Sequence, residues 1–286
     1  MPEITLIGTG GLGQTLVRAL SEVNIPIKSI FNRTVDKARD IAVEYGILTH
    51  GKQPDNIGQL GNLIFITVTD RAIEEVAQQL SRLSGDFNDY TIVHCSGNES
   101  AELLHPLRVK GASVASFHPL QTFTEQSDAK AFQDIYFSLQ GDKTVFPLLE
   151  NIAQKLGAQT LEVTADQKSN LHAAAVMASN YLNTLLEAAI DTASLSGLSP
   201  ERAKEALLPL VATTLRNIGE QSFENALTGP IKRGDIETVK RHIELLRGQP
   251  ELMTIYQTLG KRTVALAKRS QKIDSPTAQT LLEVLA

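Results

Sequence analysis

With 286 residues, 42% hydrophobic and 21% charged, the chain has enough apolar material for one large core or two moderate ones, and two domains are the natural expectation. The formal net charge of -5, with no Lys/Arg block, gives no electrostatic ground for a nucleic-acid or anionic-membrane partner and directs attention to a small ligand. The single Cys95 excludes an intramolecular disulfide and sits in an apolar run without zinc-site spacing, so no metal is expected and a reducing cytoplasm fits best. The segment up to Ile7 carries Glu3 and lacks the basic start and long apolar run of a secretion signal. No stretch reaches the ~18 apolar residues of a membrane-spanning helix.

In chain order, short β-rich runs alternate with helical patterns as far as residue 163. The runs are Ile4 to Ile7, Ile27 to Phe31, Leu63 to Val68, Thr91 to Cys95, Val114 to Phe117, Ile135 to Leu139 and Thr160 to Val163. Between them, Leu12, Leu16, Leu20 and Val23 recur at helical spacing, as do Ile73, Val76, Ala77 and Leu80. This alternation predicts an α/β fold with a Rossmann-like, mostly parallel sheet covered by helices on both faces. Beyond Val163 the texture becomes helical throughout: Asp166 to about Leu195, Ser199 to Asn217, Ile236 to Leu246 and Pro250 to Arg269. Ser199-Pro200 and Asp274-Ser275-Pro276 read as helix starts. The expected division is a nucleotide-binding domain over 1–163 and an all-α domain over 164–286.

The first strand runs into Gly8-Thr9-Gly10-Gly11-Leu12-Gly13 and then a helix. In such a turn one glycine allows the tight exit from the strand, one lets backbone approach phosphate, and one lets helix pack against sheet. A dinucleotide pyrophosphate would rest on the free N–H groups of the helix start. At the end of the second strand, where an acidic residue would select NAD, stands Asn32-Arg33-Thr34. The missing repulsion and the Arg33 guanidinium favour the 2′-phosphate of NADP(H); the plainer reading, Thr34 capping the helix that begins at Val35 with Arg33 solvated, can coexist with binding. Thr67-Val68-Thr69-Asp70 and His94-Cys95-Ser96-Gly97 end strands at the carboxyl edge, so Val68, Thr69, Ser96 and Gly97 are candidates to border the nicotinamide and its ribose.

Two further segments carry a resemblance: Ala115-Ser116-Phe117-His118-Pro119-Leu120-Gln121-Thr122-Phe123, and Ala226-Leu227-Thr228-Gly229-Pro230-Ile231-Lys232-Arg233-Gly234-Asp235. They resemble the bacterial family that joins a Rossmann-like domain to a helical DUF2520 domain. That family lies in the superfamily of 6-phosphogluconate dehydrogenase, ketopantoate reductase, pyrroline-5-carboxylate reductase and prephenate dehydrogenase, and some members are regarded as alternative ketopantoate reductases. The resemblance implies a substrate cleft between the two domains and a homodimer formed through the helices. It also implies an acid catalyst, commonly a Lys on the first long helix with an Asn four residues later. Here Lys168 matches and His172 holds the Asn position, while Asn180 could still offer an amide.

Reducing a ketone requires a proton at oxygen as negative charge develops there. Lys168 and His172, four residues apart, share a helix face and could serve together, although an exposed lysine and a packing histidine fit the same pattern. His118-Pro119 is similar to a His-Pro of prephenate dehydrogenases, and it also suits a plain strand end. Thr228, Gly229 and Arg233 could bind an anionic substrate, or form a turn with Asp235 capping the next helix. The expectation is therefore NADPH-dependent reduction of a small 2-oxo acid, with ketopantoate foremost. The alternatives are an imine reductase, a prephenate-type dehydrogenase, a deazaflavin–NADP oxidoreductase and a non-catalytic NADP-binding sensor.

Overall fold

A computed structural model of the protein describes residues 2–286. The described residues form eight strands: β1 (Ile4–Ile7), β2 (Ile27–Phe31), β3 (Thr49–Gly51), β4 (Leu63–Ile66), β5 (Thr91–His94), β6 (Ser113–Pro119), β7 (Tyr136–Gly141) and β8 (Gln159–Glu162). Among them are interspersed α1 (Gly11–Glu22), α2 (Val35–Glu44), α3 (Asp70–Ser81), the single turn α4 (His105–Arg108) and α5 (Phe146–Lys155). The sheet order is β3-β2-β1-β4-β5-β6-β7-β8. Every pairing is parallel except β6 with β7, so the expected mostly parallel sheet is present. The order reverses between β1 and β4, the switch point outside which open α/β sheets bind ligands.

Strand periodicity divides the core into two layers. Leu6, Leu63, Phe65, Val93, Ala115 and Phe117 pack on one face with Leu16 and Leu20 of α1 and Leu149 and Ile152 of α5. Ile64, Ile66, Ile92 and Val114 pack on the other with Ile73 and Leu80 of α3 and Leu107 of α4. The same alternation puts His94, Ser116 and His118 on one face, because His94 pairs with Ser116 and His118 follows two residues later. Phe117 itself points to the opposite side, stacked on Phe137 with ring centroids 4.1 Å apart.

The chain separates into compact units of residues 1–180 and 181–286, a boundary later than the change of texture at 163. The difference is the helix α6 (Ala165–Ala178), which packs with the sheet unit. A capping box starts it: the Thr164 hydroxyl accepts the Gln167 N–H, and the Gln167 side chain accepts the Thr164 N–H. The single helical run expected from Asp166 to Leu195 is divided at Ser179.

The second unit contains α7 (Asn180–Ser194, its first residue at the boundary), α8 (Pro200–Glu220), the one-turn α9 (Phe223–Ala226) and α10 (Pro230–Arg233), α11 (Ile236–Leu245), α12 (Pro250–Arg269) and α13 (Ser275–Val284). Ser199, Asp235 and Asp274 accept backbone N–H groups as N-caps of α8, α11 and α13. Val239, Val264, Ala267, Ile273, Leu281 and Leu285 form its core. Among the described residues no helix is long and apolar enough to cross a membrane.

The Phe117 ring is fully buried and supports the strand that carries His118. Phe117→Ala should therefore lower unfolding stability by about 3–5 kcal/mol, read from the midpoint of chemical denaturation at unchanged slope.

Candidate active site

The glycine turn adopts the geometry that its residues require. Gly8 has φ +110°, and a Cβ there would lie 2.7 Å from the Thr67 carbonyl carbon, where the ends of β1 and β4 meet. A Cβ on Gly13 would lie 2.2 Å from Gly8 O, so only glycine lets α1 sit this close to the strand end. A Cβ on Gly10 would meet nothing, which leaves its backbone open to an incoming phosphate. The Thr9 hydroxyl is buried without a partner at the same turn, and Leu12 packs against the sheet core. These features fit a dinucleotide pyrophosphate.

Asn32 is tied into the turn, its Oδ1 accepting the Thr9 N–H at 3.3 Å and its Nδ2 donating to Thr34 O at 3.0 Å. Arg33 and Thr34 are exposed. Thr34 occupies the N-cap position of α2, yet its hydroxyl accepts no backbone N–H, so capping does not occupy it. No acidic side chain stands at the end of β2, and the surface there suits a phosphate better than a ribose hydroxyl. Val68 and Thr69 follow β4 beside Gly8, where a Cβ on Gly8 would lie 2.9 Å from the Val68 N.

Past β5, the Ser96 carbonyl gathers polar groups. Lys168 Nζ donates to Ser96 O at 2.6 Å, and the Ser116 hydroxyl donates to it at 3.4 Å. The Ser96 N–H donates to His94 Nδ1 at 3.2 Å, while the Ser96 hydroxyl accepts the N–H groups of Asn98 and Glu99. Lys168 is only 1% exposed, so it is not the solvated helix lysine that its sequence also allowed. His118 and His172 stand edge to face with ring centroids 6.1 Å apart. Gly97 lies against both: a Cβ there would be 2.3 Å from His172 Nδ1 and 2.9 Å from His118 Nε2. His172 Nδ1 and His94 Nε2 are buried without hydrogen-bond partners.

Burial governs the protonation of this cluster. It lowers Lys168 to about 8, with Cys95, Asp70 and Glu99 pulling weakly the other way. Burial first and the Lys168 charge second lower His118 to about 3 and His94 to about 4. Burial pushes the Cys95 thiol up to about 12, so it stays protonated. A buried ammonium thus stands beside the uncharged imidazoles of His94 and His118 at neutral pH. Among the described residues no group of three His, Cys, Asp or Glu side chains is placed to hold a metal ion.

Lys168, His172, His118, Ser96 and Gly97 are therefore brought together inside the first unit, and His94 joins them. The sequence marked His94 only as part of a strand end; its place beside His118 follows from the pairing of His94 with Ser116, two residues before His118 on the same face, which only the strand register reveals. Asn180 is exposed at the start of α7. Thr228, Gly229 and Arg233 belong to the second unit. There Gly229, at φ +93°, precedes α10, and Thr228 lines a cavity of about 420 Å³ with His242 and Tyr256.

A nucleotide-binding switch point, a glycine turn and a buried lysine at the carboxyl edge define an oxidoreductase of the NADP-dependent class. Residues 3–97 match the family of coenzyme F420-dependent NADP oxidoreductases, and residues 135–263 match the domain of unknown function DUF2520. The chain thus carries, in this order, a match to an NADP oxidoreductase domain and a match to DUF2520, and the first of these supports NADP(H) as the cofactor. A protein from Thermotoga maritima is 29% identical over 93% of this chain and 99% of its own, with a TM-score of 0.73. A candidate NADP oxidoreductase from Bacteroides fragilis is 22% identical over 99% and 98%, TM-score 0.70. The pyrroline-5-carboxylate reductase of Coxiella burnetii, 18% identical over 95% and 98% with a TM-score of 0.60, shares the fold. No curated protein matches the chain in sequence.

The depressed imidazoles couple stability to pH. An unfolded His near 6.5 binds protons that the folded His94 and His118 refuse until about pH 4 and 3, so the unfolded state gains stability as pH falls below 6.5. Unfolding free energy should drop by about 2 kcal/mol per imidazole between pH 7 and 5. His118→Gln should flatten that slope in denaturation curves taken across the range.

Proposed function

We propose that the protein reduces the carbonyl of a small, anionic 2-oxo acid with NADPH, 2-dehydropantoate to pantoate being the best single assignment, and that it works in the cytoplasm as a homodimer. The observation that carries this reading is Lys168, an ammonium 1% exposed whose hydrogen-bond acceptor is a backbone carbonyl rather than a carboxylate. A buried cation in such a place is costly unless an anion joins it, and a substrate carboxylate or a developing alkoxide is the anion that catalysis would provide.

Gly8, Thr9, Gly10, Gly11, Leu12 and Gly13 would hold the pyrophosphate, and Asn32, Arg33 and Thr34 the 2′-phosphate. Val68, Thr69, Ser96 and Gly97 would border the nicotinamide. The bound cofactor supplies the hydride that the substrate carbon receives. Lys168 would give a proton from Nζ to the substrate oxygen, and the Ser96 carbonyl fixes where that proton points. The unpartnered His172 Nδ1 offers a positioning contact, and the neutral His118 offers another whose charge does not compete with the lysine. Asn180, Thr228, Gly229 and Arg233 are the further polar groups proposed for substrate recognition.

A donor held near 8 must be protonated to act. The rate of 2-dehydropantoate reduction, followed as loss of NADPH absorbance, should therefore fall as pH rises through about 8 rather than near the 10.5 of a solvated lysine. Lys168→Met should lower kcat by roughly 10²–10⁴-fold while leaving NADPH binding intact. Full activity in that variant would remove Lys168 from the donor role. Turnover of pyrroline-5-carboxylate in place of the 2-oxo acid would move the protein to the imine reductases.

The dimer rests on α7, which buries no side chain, and α8, which buries only Ala203 while Leu208, Leu210 and Leu215 are 43%, 63% and 51% exposed. Apolar surface on that scale marks an association face. Light scattering should give twice the chain mass, and Leu210→Glu should shift micromolar protein toward the monomer.

A further inference from the structure

The segment after β6 forms a strap across the glycine turn. Its backbone leans on the start of α1, where a Cβ on Gly11 would lie 2.8 Å from Phe123 O and 2.9 Å from the Thr124 carbonyl carbon. Phe123 anchors the strap from below, packing on Phe132 with ring centroids 4.9 Å apart. Arg18 Nη1 of α1 donates to Ser127 O at 2.9 Å. The Thr124 N–H donates to the Ser127 hydroxyl at 2.8 Å, closing a turn whose outer residues are Glu125 and Gln126. Glu125 then reaches α2, its Oε1 2.8 Å from Lys37 Nζ.

Lys37 lies in the first turn of α2, immediately after the Asn32-Arg33-Thr34 corner. The strap thus spans from the pyrophosphate turn to the corner that separates NADP from NAD, and its far end holds a carboxylate on the nearest lysine. Both side chains are about half exposed, 51% for Lys37 and 58% for Glu125, so the pair is weak and free to exchange. The lysine also holds the Glu125 carboxyl below the usual carboxylate range, so Glu125 stays charged across the physiological span.

We propose that Glu125 tunes cofactor preference by competing with the 2′-phosphate of NADP(H) for Lys37. The inference rests on the NADP reading of Asn32-Arg33-Thr34. When the site is free, Glu125 neutralises Lys37 and keeps the strap tied to α2. An incoming 2′-phosphate, close to a dianion at neutral pH, offers Lys37 a stronger partner and releases Glu125, whose own charge opposes the phosphate while the two are near. NAD(H) carries a neutral hydroxyl there, so its binding has no need of Lys37 and little sensitivity to Glu125. Glu125 is in this sense a specificity residue that restrains the affinity for the preferred cofactor.

Titration calorimetry with NADPH and NADH on the full chain separates the cases. Glu125→Gln should tighten NADPH by roughly two- to fivefold and leave NADH unchanged. Lys37→Ala should weaken NADPH, and Glu125→Gln added to it should yield a smaller gain than in the wild-type background. No gain, an equal gain for both cofactors, or an undiminished gain without Lys37 would overturn the proposal. If the wild-type protein binds NADPH no more tightly than NADH, the NADP reading itself falls and takes this one with it. A clear wild-type preference combined with an indifferent Glu125→Gln removes only the role of Glu125.

Discussion

The hydrogen bond from Lys168 Nζ to Ser96 O is the contact on which the rest of the site depends. It carries a full positive charge out of water and hands it to a carbonyl dipole, a weak compensation for lost hydration. The nearby groups adjust to that charge. His94 and His118, lowered first by burial, are lowered further by it, Ser96 is braced by the Ser116 hydroxyl and by the Asn98 and Glu99 N–H groups donating to its own hydroxyl, and α6 is anchored to the sheet unit. An apolar residue at 168 would suit the packing as well or better. A buried lysine in its place is what the proposed donor role requires and what packing alone does not.

Topology explains how a helix from beyond the sheet reaches this point. β7 runs against β6, and β8 follows β7. The last residue of β8, Glu162, pairs with Leu139, which pairs with Phe117, the neighbour of Ser116. The reversed pair therefore delivers the start of α6 level with the carboxyl end of β5, and the capping box at Thr164 fixes where the helix begins. A regular parallel continuation would have needed another crossover and would have brought a different helix end to the site.

Much of the sheet was legible because its strands are apolar runs closed by polar turns. Ile4–Ile7 and Ile27–Phe31 fall where the pattern put them, and Pro250–Arg269 is the helix that its periodicity described. β3, only Thr49-His50-Gly51, has no apolar run to announce it and exists through pairing with β2. The break at Ser179 was hidden because Ala, Ser and Asn carry no strong stop signal. At the site, the glycine turn could be named from its own residues, whereas Lys168 was singled out only through the family resemblance. Their surroundings could not: that Gly97 abuts two imidazoles, or that Glu125 meets Lys37 across 88 positions of chain, depends on tertiary placement alone.

The buried thiol gives the molecule a property of another kind. Cys95 is the one cysteine of the chain, it lies at the end of a central strand, and its pKa near 12 leaves almost no thiolate to react. Alkylating reagents must therefore wait for the sheet to open around β5. The rate at which a maleimide consumes Cys95 becomes an intrinsic clock for that opening, free of any introduced label, and slowing by NADPH would measure how far cofactor binding holds the sheet closed.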